Sequence, residues 1–300
     1  MTDRPDSVDP TWNFLSVVNG VASPPTVVIN ALIIWAVLGN EDLRSSCFNI
    51  LLAALAVTDF LVGLLVAPIF CFYLRCLVGN IHSPCTSTVY ILSSLILCGL
   101  THFTLTLVSF ERYLAIEHPN FYLKMVTARR VMLGTMIYWA GSITPMVIVF
   151  IFSINSNQGM FKVPHLVFIG FSTLVILYCS IKVQVTAYRQ RRAIALQQES
   201  VLQPDEQQRQ QERLKEYRRV FMTSILVIAS ILFYVPVVVV TVIQAIEGSD
   251  VTDDFKYISA PICATFLHLQ SLINPILVSL RLSYIRTSIK NKLATVFNWN

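Results

Sequence analysis

"ILLAALAVTDFLVGLLVAPIF", residues Ile50–Phe70, is apolar almost throughout, yet Asp59 stands near its middle. About 20 largely apolar residues are what an α-helix needs to cross the hydrocarbon core of a bilayer. A carboxylate at the centre of such a helix costs roughly 2.5–3.5 kcal/mol on insertion scales. The stretch reads as a membrane span, and its acidic residue needs a functional reason to be there.

The rest of the 300-residue chain supports the membrane reading. It is 55% hydrophobic and 13% charged, whereas soluble domains carry about 25% charged residues. Seven apolar runs are long enough to span: Asn13–Leu38, Ser46–Leu74, Pro84–Ile116, Arg130–Ile154, Val163–Tyr188, Tyr217–Ala245 and Phe255–Leu280. No repeat of fixed period is present. The expected fold is an all-α membrane protein, a seven-transmembrane helix bundle with a short amphipathic helix after the seventh span. Residues 1–12 form the outer N-terminus, 13–280 the bundle, and 281–300 the inner amphipathic helix and tail. Met1–Pro10 is polar and acidic, so the first span is expected to act as its own signal anchor.

Lys and Arg set the orientation, because cytoplasmic loops carry the excess. With the N-terminus outside, the outer segments hold only Arg4, Arg75, Lys162 and Lys256, which leaves eighteen of the 22 basic residues inside. The net charge of +5 is then an inner-face feature, suited to anionic lipid or a cytosolic partner. Nothing points to nucleic acid. The location expected is the plasma membrane, with the N-terminus extracellular.

The seven cysteines show no metal-binding spacing. Cys47, Cys98 and Cys179 fall in spans or near the inner side. Cys71, Cys76, Cys85 and Cys263 fall near the outer face. Cys76 and Cys85 flank "CLVGNIHSPC" in oxidising space and are candidates for a disulfide, with free thiols as the alternative, since connectivity is not set by sequence.

The longest connection is the inner segment "RQRRAIALQQESVLQPDEQQRQQERLKEYRR". Helical extension of spans five and six, with a break near Pro204, competes with a polar linker. After span seven, Leu282, Ile285, Ile289 and Leu293 recur at helical spacing among basic residues. That pattern suits a helix on the inner leaflet, in contact with membrane lipid.

Polar residues inside the spans carry the functional information. Span one holds Asn30, span two "LAVTD", span three ends in "ERY" (Glu111–Tyr113), span four holds Trp139, span six "FYVP" with Pro236, and span seven "SLINP" (Ser271–Pro275). Together and in this order they resemble the rhodopsin-like (class A) G-protein-coupled receptors, over essentially the whole chain. The resemblance implies a receptor and not an enzyme. Its partners would be an extracellular ligand (small molecule, lipid or peptide) and a heterotrimeric G protein, reached through a shift of spans five and six.

The resemblance also implies residue roles. Glu111 and Arg112 would form the inner charge pair, and Glu216, at the start of span six, would latch Arg112 in the resting state. Tyr178 would approach Arg112 in the active state. The alternative for Arg112 is a snorkelling arginine at a membrane edge. Asp59 would bind a sodium ion with Thr101, Ser271 and Asn274, oxygen donors that suit a hard cation. Its alternative is a buried carboxylic acid kept neutral. Ser94, Cys98, Lys162, Phe233, Tyr234 and His268 would line the ligand pocket, and Lys162 would favour an acidic ligand. For Lys162 the alternative is again snorkelling, and for His268 a structural histidine between helices.

Several positions depart from the family pattern. Val278 stands where span seven usually has Tyr, Tyr234 where span six usually has Trp, and Gly170 where span five usually has Pro. His102 and Ser230 replace apolar residues beneath the pocket. The usual outer disulfide from span three lacks its partner. These departures resemble the melanocortin, lysophospholipid, cannabinoid and adenosine branch, although adenosine receptors keep the span-five proline. Ile69, Ser87 and Ile91 stand where melanocortin receptors carry acidic residues. Ser94 replaces the Asp that anchors amines in aminergic receptors, which argues against a monoamine. His268 stands where opsins carry the retinal lysine, which excludes a retinal Schiff base there.

A transporter or channel is the competing class. It calls for inverted repeats or broken helices in corresponding halves, and neither is visible. His82, His102, His118, His165 and His268 are too dispersed for a membrane enzyme's active site.

Overall fold

The computed structural model describes residues 8–81, 84–153, 162–197, 204–247, 252 and 255–296. Among these residues every regular element is helical. Helix α1 spans Val8–Leu38, and α2 is the short turn Glu41–Arg44. Span two is α3 (Cys47–Leu61), a π-helical turn (Val62–Val66) and α4 (Ala67–Val78) in one continuous rod. Next come α5 (Pro84–Glu117), α6 (Pro119–Met125), α7 (Ala128–Ser153), α8 (Lys162–Gln197) and α9 (Pro204–Glu247). A second π-helical turn, Phe255–Ser259, leads into α10 (Ala260–Arg281), and α11 (Ser283–Val296) closes the chain.

Six segments are long and apolar enough to cross a membrane among the described residues: α1, the span-two rod, α5, and the apolar parts of α8, α9 and α10. Helix α7, 26 residues long, is the seventh long helix and packs on α3 and α5. Helix α5 runs through the middle of the bundle against α3, α4, α7, α8 and α9, and α10 closes it between α9 and α1.

Helix α1 begins five residues earlier than the apolar run suggests. Trp12 explains the difference: it is buried, its Nε1 donates to the Tyr257 carbonyl at 2.7 Å, and its ring meets the Tyr257 ring edge-on at 6.0 Å. This contact draws the amphipathic start of α1 onto the turn before α10.

The inner connection does extend as helix, with α8 reaching Gln197 and α9 starting at Pro204. Proline suits the first helical position because its missing N–H would have no partner there. Helix α11 buries Ile285 and packs Ile289 on the inner core, as its spacing predicts.

Among the described residues the apolar core has two main layers and a small third cluster of Val183, Ala187 and Val220. The inner layer gathers Val37, Phe48, Leu52, Leu105, Leu226, Val278 and Ile285. The outer layer gathers Trp12, Val66, Phe70, Tyr90, Leu97, Tyr234 and Leu267. Asp59 lies in sequence between Ala56 of the inner layer and Val62 of the outer one. The π turn comes directly after it. Such turns insert one residue into a helix and re-aim the side chains beyond the insertion, often at functional sites. Its Gly63 is needed for close approach: the Ser23 hydroxyl donates to the Gly63 carbonyl at 2.8 Å, and a Cβ there would lie 2.8 Å from Thr26 Cγ2.

Candidate functional site

Asp59, in the last turn of α3, is fully buried. Its carboxylate accepts three hydrogen bonds: from Thr101 Oγ1 of α5 at 3.2 Å, from Ser271 Oγ of α10 at 2.9 Å, and from Asn274 Nδ2 one turn further at 2.9 Å. The structure therefore joins all four residues of the expected cation site. Asn30 of α1 adds a fourth wall, donating to the Ser271 carbonyl at 3.0 Å and to its own helix at Thr26. The amide oxygens of Asn30 and Asn274 are buried and accept no hydrogen bond. Spans two, three and seven thus meet at one carboxylate, with span one joined to them through Ser271.

The inner end of α5 forms a second polar centre. Arg112 Nε and Nη2 donate to the two oxygens of Glu111 at 2.6 and 2.5 Å, a bidentate pair sealed from solvent at 1% and 4% exposure. Tyr122 of α6 donates its hydroxyl to Glu111 at 2.5 Å. Burial, and next the nearby Glu111 charge, hold the Tyr122 phenol above its ordinary pKa, so it stays a donor. The Arg112 guanidinium lies over the Phe48 ring, 4.5 Å from its centroid. Tyr178 points outward and meets the Tyr113 ring at 6.0 Å rather than Arg112. This arrangement therefore keeps Arg112 and Tyr178 apart. The side chain of Glu216 lies outside the described residues.

Spans three and five are also joined below this centre, where Thr186 of α8 hydrogen-bonds Glu117 of α5. On α9, Ser224 accepts from Gln184 of α8.

The expected ligand residues divide into two groups. Ser94 Oγ lies 3.9 Å from Cys98 Sγ, and the Tyr234 hydroxyl donates to the Cys98 carbonyl, so these three form one patch. Beneath it the Tyr234 ring tilts against His102 at 4.5 Å, and His102 Nε2 pairs with Thr173 Oγ1 at 3.2 Å. Phe233 is half-buried one residue away, and the Lys162 side chain lies outside the described residues.

His268 is joined to spans one and two as well as to its own helix. Its Nδ1 pairs with Asn19 Oδ1 of α1 at 3.0 Å, Asn19 donates to Thr265 at 2.9 Å, and Phe70 and Tyr90 meet the imidazole edge-on at 5.0 and 6.0 Å. These contacts make His268 a clamp between spans one and seven, while its Nε2 is buried with no partner.

Of the two readings left open for Cys76 and Cys85, the structure has the free thiols. Cys76 and Cys85 are not bridged, for all seven cysteines are free. Cys76 is buried in the packed face of α4, whereas Cys85 is exposed beside Phe72 at the outer surface.

Some site residues were not visible in the sequence. Tyr122 lies 11 residues beyond Glu111 in a separate helix, with no local pattern to mark it. Asn19 and Phe48 are single polar or aromatic residues within apolar runs. Only an asparagine at depth, as at Asn30, could have singled out Asn19. Trp139 in span four does find a polar partner, donating to Thr104 at 3.1 Å.

Comparison with known proteins agrees with this geometry. The family described as "7 transmembrane receptor (rhodopsin family)" matches residues 29–277. The histamine H2 receptor of dog (Canis lupus familiaris) is 35% identical over 133 residues, covering 43% of this chain and 36% of the relative. The human histamine H2 receptor is 34% identical over the same length, with the same coverage. The chicken (Gallus gallus) adenosine receptor A2b is 36% identical over 104 residues, covering 34% of this chain and 28% of the relative. The aligned segments thus span about a third of the length of these curated relatives. The family match covers most of the chain and includes both polar centres. This chain is a multi-pass membrane protein of the rhodopsin family of seven-transmembrane receptors, a family of receptors and not of enzymes.

Proposed function

We propose that the chain is a ligand-activated G-protein-coupled receptor of the plasma membrane, with its N-terminus outside. The observation that carries this is the buried Glu111–Arg112 pair at the inner end of α5, capped by Tyr122 and Phe48. A solvent-facing arginine would need no such enclosure. An enclosed one stores a cation that a helix shift can release into an inner groove, where a helix of a partner would dock.

The outer signal reaches that pair through the polar layer. Outward displacement of α9 changes the Tyr234–Cys98 and Gln270–Ser230 bonds, and both α5 and α10 also hold Asp59. Ligand binding then shifts a population between two arrangements of one packed bundle.

Asp59, Thr101, Ser271 and Asn274 fit a sodium ion. The unpartnered amide oxygen of Asn274, whose nitrogen bonds Asp59, supplies a neutral donor next to the carboxylate. No group of three His, Cys, Asp or Glu occurs among the described residues, so the donor set suits a hard monovalent cation better than a transition metal. The ion would supply the positive charge that makes an ionised Asp59 tolerable, and the three hydrogen-bonding side chains would orient the carboxylate.

The ligand is not a monoamine on this reading, despite the likeness to histamine receptors. Ser94 offers a hydroxyl where an amine needs a carboxylate, and its neighbour there is the Cys98 thiol. Lys162 at the outer end of α8 would favour an acidic ligand, such as a lipid with an anionic headgroup.

A ligand library screened with cAMP and calcium readouts in transfected cells tests the reading. An agonist whose response disappears in Arg112→Ala at equal surface expression supports it. Transport or ion current without any G-protein response would replace it with the transporter or channel alternative.

A further inference from the structure

The Arg112 guanidinium has two edges and two faces to satisfy once it is removed from solvent. Glu111 takes one edge in bidentate fashion. The ring of Phe48 takes a face, 4.5 Å from centroid to Cζ, and is itself fully buried. An arginine over an aromatic face gains about 0.5–1 kcal/mol when exposed and about 2 kcal/mol or more when desolvated. Both partners here are desolvated, so the stronger end of that range applies.

The ring is also held in place. Phe48 is the second residue of α3, and the next residue, Asn49, is fixed from two sides. Asn49 Nδ2 donates to the Leu43 carbonyl at 3.1 Å, and Asn49 Oδ1 accepts from the Tyr284 hydroxyl of α11 at 2.9 Å. The inner end of span two is thereby tied to both the first inner turn and the last helix. The aromatic face is a fixed surface and not a side chain that follows Arg112.

We propose that Phe48 is a positioning residue for G-protein coupling, its ring face holding the Arg112 guanidinium in the resting orientation. The proposal rests on the reading of Arg112 as the coupling residue. To reach Tyr178, which points away on α8, Arg112 must leave the ring as well as the Glu111 carboxylate. The cation–π contact therefore exists in the resting state and is lost on activation, and only such a differential contact biases the equilibrium.

The competing role for Phe48 is apolar filling of the inner core. The two roles separate when the charge of the ring face is changed at nearly constant shape. The test replaces Phe48 by 4-fluoro-, 3,5-difluoro- and 3,4,5-trifluorophenylalanine through nonsense suppression in the full chain. Ligand-independent GTPγS uptake is measured in membranes supplied with each class of heterotrimeric G protein, at matched surface expression. Basal uptake should rise stepwise with fluorine number, by about fivefold at three fluorines. Phe48→Leu should rise at least as far. Uptake that is flat across the series yet abolished by Arg112→Ala overturns the role of Phe48 and leaves the coupling reading standing. No uptake from any variant with any G-protein class overturns both.

Discussion

The Tyr284 hydroxyl of α11 donates a 2.9 Å hydrogen bond to Asn49 Oδ1 at the inner end of span two. The position on span seven where the family usually has tyrosine holds Val278, buried in the inner apolar layer with Leu282 and Ile285. A polar tie at the inner face therefore comes from the helix after the bundle and not from span seven. Two further contacts reinforce it: Ser288 donates to Ala36 O, and Lys292 donates to Gly39 O at 3.0 Å while lying 5.1 Å from the Trp35 ring centroid.

Tyr284→Phe keeps the ring and removes the donor. Asn49 Oδ1 is then left buried, and the expected loss is about 1–2 kcal/mol. Thermal unfolding of the detergent-solubilised receptor should show a lower midpoint, with Asn49→Ala lowering it at least as much. A midpoint equal to wild type would mean that α11 is held by its apolar face, Ser288 and Lys292 without Tyr284.

Sodium should favour the resting state if Asp59 is ionised and binds it. Raising sodium at constant ionic strength, balanced with N-methylglucamine, should weaken agonist affinity, and constant ionic strength removes general screening as a cause. Asp59→Asn keeps the shape and removes the charge, so its agonist affinity should not respond to sodium. Equal sodium responses in the two proteins would instead support a neutral carboxylic acid at Asp59.

Tyr122 restrains Glu111, which in turn restrains Arg112. Tyr122→Phe should raise ligand-independent signalling a few-fold at equal surface expression, and Glu111→Gln should raise it further by removing the charge. The raised Tyr122 pKa means the phenol donates at every pH below its ordinary value of about 10. Its stabilising effect is full there and lost only as pH rises past that value. Basal signalling that varied with pH between about 6 and 8 in wild type but not in Tyr122→Phe would contradict this assignment.

Asn19 joins spans one and seven through His268 and Thr265. Asn19→Leu removes both hydrogen bonds and leaves His268 Nδ1 unsatisfied as well as Nε2, at a cost of about 1–3 kcal/mol. Reduced surface expression and a lower unfolding midpoint are expected, with agonist selectivity unchanged in the folded fraction. A change in selectivity without loss of stability would place His268 in the ligand pocket.

Apolar run length determined the seven helices, and the basic residues beside them determined the expected orientation, because a bilayer admits backbone only in internally bonded form. The residues around Asp59 were legible only through the family resemblance that the motif order carries, since other hydroxyls at depth, such as Thr58 and Thr135, bond back to their own helix. Tertiary packing decided the rest. It placed Phe48 beneath Arg112 and Tyr122 beside Glu111, joined His268 to Asn19, and left Cys76 buried and Cys85 exposed. These pairs join residues on different helices, and the relative rotation of two helices is set by how their side chains interlock over the whole interface. A linear pattern shows which face of a helix is apolar; it does not show which neighbour's ring or carboxylate that face meets.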